Sequence, residues 1–270
     1  SGSSSSPAFT AGFPVDMAFK RHRTATDNWR TTARLIQGSN HFTNTTGADE
    51  VTASQMFDYQ NGYYDDSQSS ANQAWMWKRA PSYFDVCAWT GTGSNMNISH
   101  NLGVVPEMIW ARPRSYADHW SVFHKDTTYD LKLDTDAAEG TGTAFGTPTS
   151  SVMPVTGGLR ASSQTYIAFL FATAAGVSKV GSVVHSGSST DVDCGFSSGA
   201  RLVILKRTDA TGDWYIWDSV RGIVSGNDPY LLLNTTAAQV TNTDYIDPLS
   251  SGFQISGDFT DGTYIFYAIA

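Results

Sequence analysis

Apolar and polar residues alternate along this chain in short runs, and the runs come in one order three times. Stretches such as Trp120-Ser121-Val122-Phe123-His124, Trp214-Tyr215-Ile216-Trp217 and Tyr264-Ile265-Phe266-Tyr267 are rich in β-branched and aromatic residues. Clusters of Gly, Asn, Asp and Ser bound them, the pattern of strands joined by tight turns. No segment sustains a 3.6-residue period over the roughly ten residues a helix needs. The single helical expectation is one turn in Asp134-Thr135-Asp136-Ala137-Ala138-Glu139, with Asp134 or Thr135 as its cap.

The recurring order has three landmarks. First comes an apolar strand ending in basic residues, then a short turn and a tryptophan. It reads Met17-Ala18-Phe19-Lys20-Arg21 before Trp29, Met108-Ile109-Trp110-Ala111-Arg112 before Trp120, and Leu202-Val203-Ile204-Leu205-Lys206-Arg207 before Trp214. A polar segment follows each tryptophan: Asn44-Thr45-Thr46-Gly47-Ala48, Asp134-Thr135-Asp136-Ala137-Ala138 and Asn234-Thr235-Thr236-Ala237-Ala238. An aromatic-rich strand closes each copy: Ala74-Trp75-Met76-Trp77, Ala168-Phe169-Leu170-Phe171 and Phe266-Tyr267-Ala268-Ile269. A repeat of roughly 90 residues explains this order best.

The expected organisation is a Ser-rich leading segment (1–12) and three β-modules at 13–80, 81–173 and 174–270. Copy two supplies about seven strands over 82–172, so the fold class is all-β, three tandem antiparallel β-sandwich modules. Trp29, Trp120 and Trp214 read as core anchors of the repeat, while Trp110 and Trp217 fit either core or ligand platform. Copies two and three open with strands at Phe84–Trp89 and Lys179–His185, whereas copy one offers only Ala8-Phe9-Thr10-Ala11-Gly12-Phe13 ahead of Asp16. Its sheet is expected to have an unfilled edge, which an upstream segment or a neighbouring subunit would have to cover.

Composition narrows the function classes. Hydrophobic residues make up 40% but charged ones only 16%, so the surface is polar through Gly, Ser, Thr and Asn. The net charge of −8 argues against nucleic acid, which needs a basic footprint. The basic run Lys20-Arg21-His22-Arg23 reads as a strand end and its turn. No apolar run approaches the roughly 20 residues that span a bilayer, so membrane insertion is not expected. The start, Ser-Gly-Ser-Ser-Ser-Ser-Pro, lacks the marks of a signal peptide and reads as a linker or cut end. Two cysteines, Cys87 and Cys194, are too few for a disulfide framework or zinc site and read as buried free thiols.

The run Ser99-His100-Asn101-Leu102-Gly103-Val104-Val105-Pro106-Glu107-Met108-Ile109 resembles a tandem β-module of tailed-phage tail-fibre and virion structural proteins, common in phages of marine bacteria and cyanobacteria. So do the run from Lys206 through Trp214 to Gly222 and the Asn234-Thr235-Thr236-Ala237-Ala238 segment. The likeness extends from about residue 12 onward, is best in copy three, and is weakest at Thr31-Thr32-Ala33-Arg34-Leu35. It implies a virion-surface or extracellular location. The implied partners are further copies of the chain, a homotrimer being the guess, adjoining virion subunits, and a host-surface glycan. It implies no catalytic residue.

Residue chemistry adds one candidate. Asn61-Gly62-Tyr63-Tyr64-Asp65-Asp66 reads as a turn carrying an Asp-Asp pair. The bland expectation is a solvated loop tip. The sharper one is a sugar platform, in which Tyr63 and Tyr64 offer apolar faces and Asp65 or Asp66 binds hydroxyls. His119 and His124 sit five apart, so an extended strand would turn them to opposite faces. His100 reads as a turn residue bonding backbone. No catalytic residue, cofactor or metal site is expected, since no His-Glu-x-x-His, Gly-x-Ser-x-Gly or phosphate loop occurs. Three classes remain: a phage tail-fibre segment for host attachment, an extracellular fibre assembled by strand addition, and a tailspike-like polysaccharide depolymerase.

Overall fold

The computed structural model describes residues 6–51, 55–65 and 69–270. Strands in the first module are β1 (Phe9–Thr10), β2 (Met17–His22), β3 (Arg30–Ala33), β4 (Ser39–Phe42), β5 (Glu50–Val51), β6 (Gly62–Tyr63) and β7 (Asn72–Trp77). The second holds β8 (Phe84–Thr90), β9 (Met96–Ser99), β10 (Met108–Pro113), β11 (Ser121–His124), β12 (Leu131–Lys132), β13 (Val152–Val155) and β14 (Thr165–Phe171). The third holds β15 (Ser178–His185), β16 (Thr190–Asp193), β17 (Leu202–Arg207), β18 (Trp214–Asp218), β19 (Leu231–Leu232), β20 (Ile246–Leu249), β21 (Gly252–Ile255) and β22 (Gly262–Ile269). All pairings among these strands are antiparallel, and the fold is all-β.

Each module builds one five-stranded sheet. The orders are β5-β4-β3-β2-β7, β12-β11-β10-β14-β8 and β15-β22-β17-β18-β19. The basic-ended strand lies between the tryptophan strand and the closing aromatic strand in each. Small sheets, β1-β6, β9-β13 and β16-β21-β20, accompany them. The large sheets are therefore apolar on both faces. One face packs within its own module, as Ile109, Ala168 and Leu170 do with Ile98 and Met153 in the second. The other face contributes to a core common to all three modules, where Phe19, Trp110 and Ile204 hold the same register.

Tandem spacing suggested modules in a row, yet these modules share one core. What closes them is a ring of hydrogen bonds that repeats module by module. Trp29, Trp120 and Trp214 are almost wholly buried, and each indole N–H donates to a neighbour's carbonyl. Trp29 Nε1 donates to Leu232 O at 2.7 Å, Trp120 Nε1 to Phe42 O at 2.9 Å, and Trp214 Nε1 to Lys132 O at 2.9 Å. Burying a Trp ring is worth about 4–6 kcal/mol by area, and the bond satisfies the polar atom that burial would otherwise strand.

The terminal bases of the central strands repeat the same cycle. Arg21 donates to the carbonyls of Thr235, Thr236 and Ala237, and Arg112 to those of Phe42, Thr45, Thr46 and Gly47. Lys206 Nζ donates to Asp136 O at 3.1 Å and Ala137 O at 2.7 Å. Backbone bonds complete the circuit: Asp49 N to Arg114 O, Glu139 N to Thr208 O, and Gln239 N to Arg23 O. Burial pushes Arg21 and Arg112 down to about 10 and Lys206 down to about 8. The carbonyl clusters are what make such buried cations tolerable.

The polar landmark after each tryptophan also has a definite task. Asn44, Asp134 and Asn234 accept the backbone N–H of Trp29, Trp120 and Trp214 at 2.8, 3.0 and 3.0 Å. The helical turn expected at 134–139 does not form, because the Asp134 carboxylate is committed to the Trp120 N–H and the His119 ring instead. Helical geometry among the described residues is limited to two 3-10 turns, Arg34–Ile36 and Gly157–Arg160.

Candidate functional site

The first module departs from the other two at two places, and these are where a site could lie. One is the Tyr63–Asp66 corner. Tyr63 is fully buried in β6, stacked on Phe9 at 5.2 Å and on Phe57 at 5.4 Å. Burial pushes its phenol well above its ordinary range. Asp65 is 1% exposed and pairs with Lys20 Nζ at 2.6 Å, with Gln55 Nε2 at 3.4 Å. Tyr64 is half-buried and bridges to Met56, and Asp66 lies outside the described residues. The expectation of an exposed sugar platform is corrected for Tyr63 and Asp65: neither presents a face to solvent.

The register explains why the carboxylate is inside. Lys20 occupies the position of Ala111 in β10 and Leu205 in β17, on the sheet face turned away from the common core. A base substituted there needs an acid within reach, because an isolated buried ammonium is far costlier than a paired one. Burial lowers the Lys20 pKa, and the Asp65 charge opposes that shift. The corner is thus a polar plug in a small apolar core of Phe9, Val15, Ala18, Phe57 and Tyr63.

The second departure is the sheet edge. β14 is flanked by β10 and β8, and β22 by β17 and β15. β7 has β2 on one side, and among the described residues no strand on the other. In the sister strands the residue after the strand donates toward the leading strand, Ala172 N to Tyr83 O and Ala270 N to Val177 O. Lys78 holds that place after β7. By strand alternation, the N–H and C=O of Met76 and Ala74 turn the same way, outward from β2. Beside them runs a groove of about 340 Å³, walled by Trp75, Trp77, Tyr83, Leu202, Val220 and Ile269. Val220 is 78% exposed there, and Arg221 lies over the Trp75 ring at 5.5 Å.

The remaining sequence candidates fall into place as scaffold. Trp110 and Trp217 are buried, the first in the common core and the second in the third module's own core. His100 Nδ1 accepts the Leu102 N–H at 3.3 Å, the backbone role expected of it. His119 is a half-exposed partner of Asp134, whereas His124 is fully buried, so the two do not converge. Cys87 and Cys194 are buried free thiols, pushed up to about 12 by burial. Among the described residues no three His, Cys, Asp or Glu side chains gather as a metal-ion group.

What sequence reasoning missed was the role of Arg21, Arg112 and Lys206. They were visible as the basic end of each landmark strand, but the carbonyls they bind lie 66 or more residues away in most cases. No curated protein and no solved structure matches the chain. A family model described as "Domain of unknown function (DUF7483)" matches residues 1–270, and the chain belongs to that family.

Proposed function

We propose that this chain is a structural and attachment segment of a virion appendage of the tail-fibre kind. The observation that carries the reading joins sequence to geometry. The residues by which the chain resembles tail-fibre modules include those that lock its modules together. The Lys206–Gly222 run holds both Lys206 and Trp214, and the Asn234–Ala238 segment supplies carbonyls to Arg21. A body whose buried bases and tryptophans are used to join modules suits a load-bearing role. The ring also provides threefold-like closure within one polypeptide, so copies of the chain would assemble through other surfaces.

The test is localisation followed by competition. Antibody raised against the purified chain should label the appendages of tailed-phage particles whose genome encodes it. The purified chain should also slow adsorption of those particles to host cells. Particles that carry no label would overturn the reading. A second reading, an extracellular fibre joined by strand addition, is favoured by one observation, the β7 edge that has no partner strand among the described residues. Sedimentation of the purified chain separates the two, since strand-joined fibres grow with concentration and a closed segment does not.

A further inference from the structure

We infer that the second module carries a carbohydrate-binding cleft, a seat for two linked neutral sugar units on the sheet face turned away from the common core. The inference goes beyond the appendage reading, because such a cleft would bind sugar wherever the chain resides.

The cleft arises where the second module trades bulk for polarity. Ser121 pairs with Lys132 across β11 and β12, as Tyr215 pairs with Leu232 across β18 and β19. Asp130 precedes Leu131 as Tyr230 precedes Leu231, and the Gly140 N–H donates to Asp130 O as the Val240 N–H does to Tyr230 O. In the third module the Tyr215 ring fills the space over these positions. It packs on Trp217 at 5.3 Å, Tyr230 at 5.1 Å and Phe259 at 5.2 Å. The second module has a serine, an aspartate and a glycine in place of Tyr215, Tyr230 and Val240. The result is a hollow of about 310 Å³, inside the roughly 300–1,000 Å³ range of small-molecule sites. A second hollow of about 250 Å³ adjoins it, and the two share Asp130 and Thr143 as a common wall.

The groups lining the first hollow suit hydroxyls. Asp118 Oδ1 accepts the His119 N–H at 2.8 Å, and Oδ2 has no hydrogen-bond partner among the described residues. His119 is aimed by its Nδ1 contact with Asp134 at 2.6 Å, which leaves Nε2 for a ligand. Lys132 Nζ directs one of its three N–H groups to Ser121 Oγ at 3.2 Å. Asp130 is fixed by Thr143 Oγ1 at 2.9 Å and by the Ala144 N–H at 2.7 Å, so the shared wall is held in place. A sugar hydroxyl both donates and accepts, and this hollow offers carboxylates, an ammonium and an imidazole together. Two carboxylates against one ammonium disfavour a phosphate, sulfate or uronate.

The second hollow supplies the apolar half. Tyr129 is 42% exposed there, and Phe123 meets Phe145 edge-on at 6.0 Å. Such rings offer a flat apolar surface to the C–H face of a pyranose. Glu139 Oε1 accepts the N–H groups of Thr128 and Tyr129, each at 2.6 Å, so the platform is set before any ligand arrives.

The test is direct binding of free sugars to the purified 270-residue chain, by ligand-observed NMR and then calorimetry. The probes are neutral trisaccharides of glucose, galactose, mannose and N-acetylglucosamine, with a sulfated and a uronic-acid trisaccharide alongside. At least one neutral probe should bind with a Kd of about 1 mM or tighter, and the acidic ones at least about tenfold more weakly. Ser121→Tyr, which restores the ring of the third module, should abolish binding while the chain stays folded. Asp118→Asn, which retains the Oδ1 acceptor, should weaken binding about tenfold, and Tyr129→Ala about threefold to tenfold. If Ser121→Tyr does not fold, the other two variants decide. Binding by no neutral probe would overturn the inference. So would a preference for the acidic probes, or binding that none of the three variants alters. No particle enters this test, so its failure leaves the appendage reading standing, and unlabelled particles leave the cleft standing.

Discussion

The first module and the other two share a plan and differ in how each solves the same two problems. At the outward face of the central strand, the second and third modules use Ala111 and Leu205, while the first uses Lys20 and encloses Asp65 with it. At the sheet edge, the second and third have β8 and β15, while the first leaves β7 bordering a groove. The contrast teaches that the common core and the bond ring are the conserved constraint within this chain, and that faces away from them are free to diverge. Residues on the ring side keep their chemistry three times: Arg21, Arg112 and Lys206 all bind carbonyls of a neighbour.

That contrast can be broken most severely at the polar plug. Asp65→Ala leaves the Lys20 ammonium without its carboxylate and should cost about 3–5 kcal/mol in urea unfolding. Lys20→Leu together with Asp65→Ala, which restores the arrangement of the third module, should recover most of that loss. If the double variant were as unstable as the single one, the pair would be more than a packing substitute.

The second module carries a pH response at His124. His124 is buried, and its Nδ1 accepts the Asp126 N–H at 3.2 Å, so a proton there would face a donor. Burial pushes its pKa down to about 4 from 6.5. A base depressed in the folded state contributes stability that is complete above the unfolded value and is lost as pH falls from 6.5 toward 4. At about 1.4 kcal/mol per pKa unit, the loss should approach about 3 kcal/mol. His124→Asn should flatten the thermal-denaturation profile over that window.

Smaller effects test whether the ring is even. Trp120→Phe removes the indole donor to Phe42 O and should cost about 1–3 kcal/mol, part lost packing and part the lost bond, since Arg112 still donates to that carbonyl. Trp29→Phe and Trp214→Phe should fall within about 1 kcal/mol of it, since each donates one equivalent bond. Arg112→Lys, which copies the third module's Lys206, should cost least, because the ammonium keeps carbonyl acceptors but loses the guanidinium's spread of donors. A Trp29→Phe cost far above the other two would mean that the first module depends on the ring more heavily.

Much of this was legible in the sequence. Period-two runs and turn residues gave the strands, and about seven expected over 82–172 match β8 through β14. That β7 has no outer partner strand among the described residues agrees with counting landmarks along the sequence. The Tyr63–Asp66 corner was misread because Gly62 and a pair of acids look like a loop tip locally. Only the pairing of β6 with β1, and Lys20 placed opposite by β2, show that Tyr63 and Asp65 point inward. The one helical turn failed for a similar reason, since the Asp134 acceptor was already engaged by Trp120 from the same module.

The sequence by itself determined the strands, their order, and the recurring tryptophans and bases, because these depend on local alternation and on comparing the chain with itself. Tertiary structure alone decided that the modules close on one another, that Arg21, Arg112 and Lys206 reach carbonyls of a neighbouring module, and that β7 borders a groove. Those contacts join residues far apart in the chain, and no local pattern encodes which surface a module will meet.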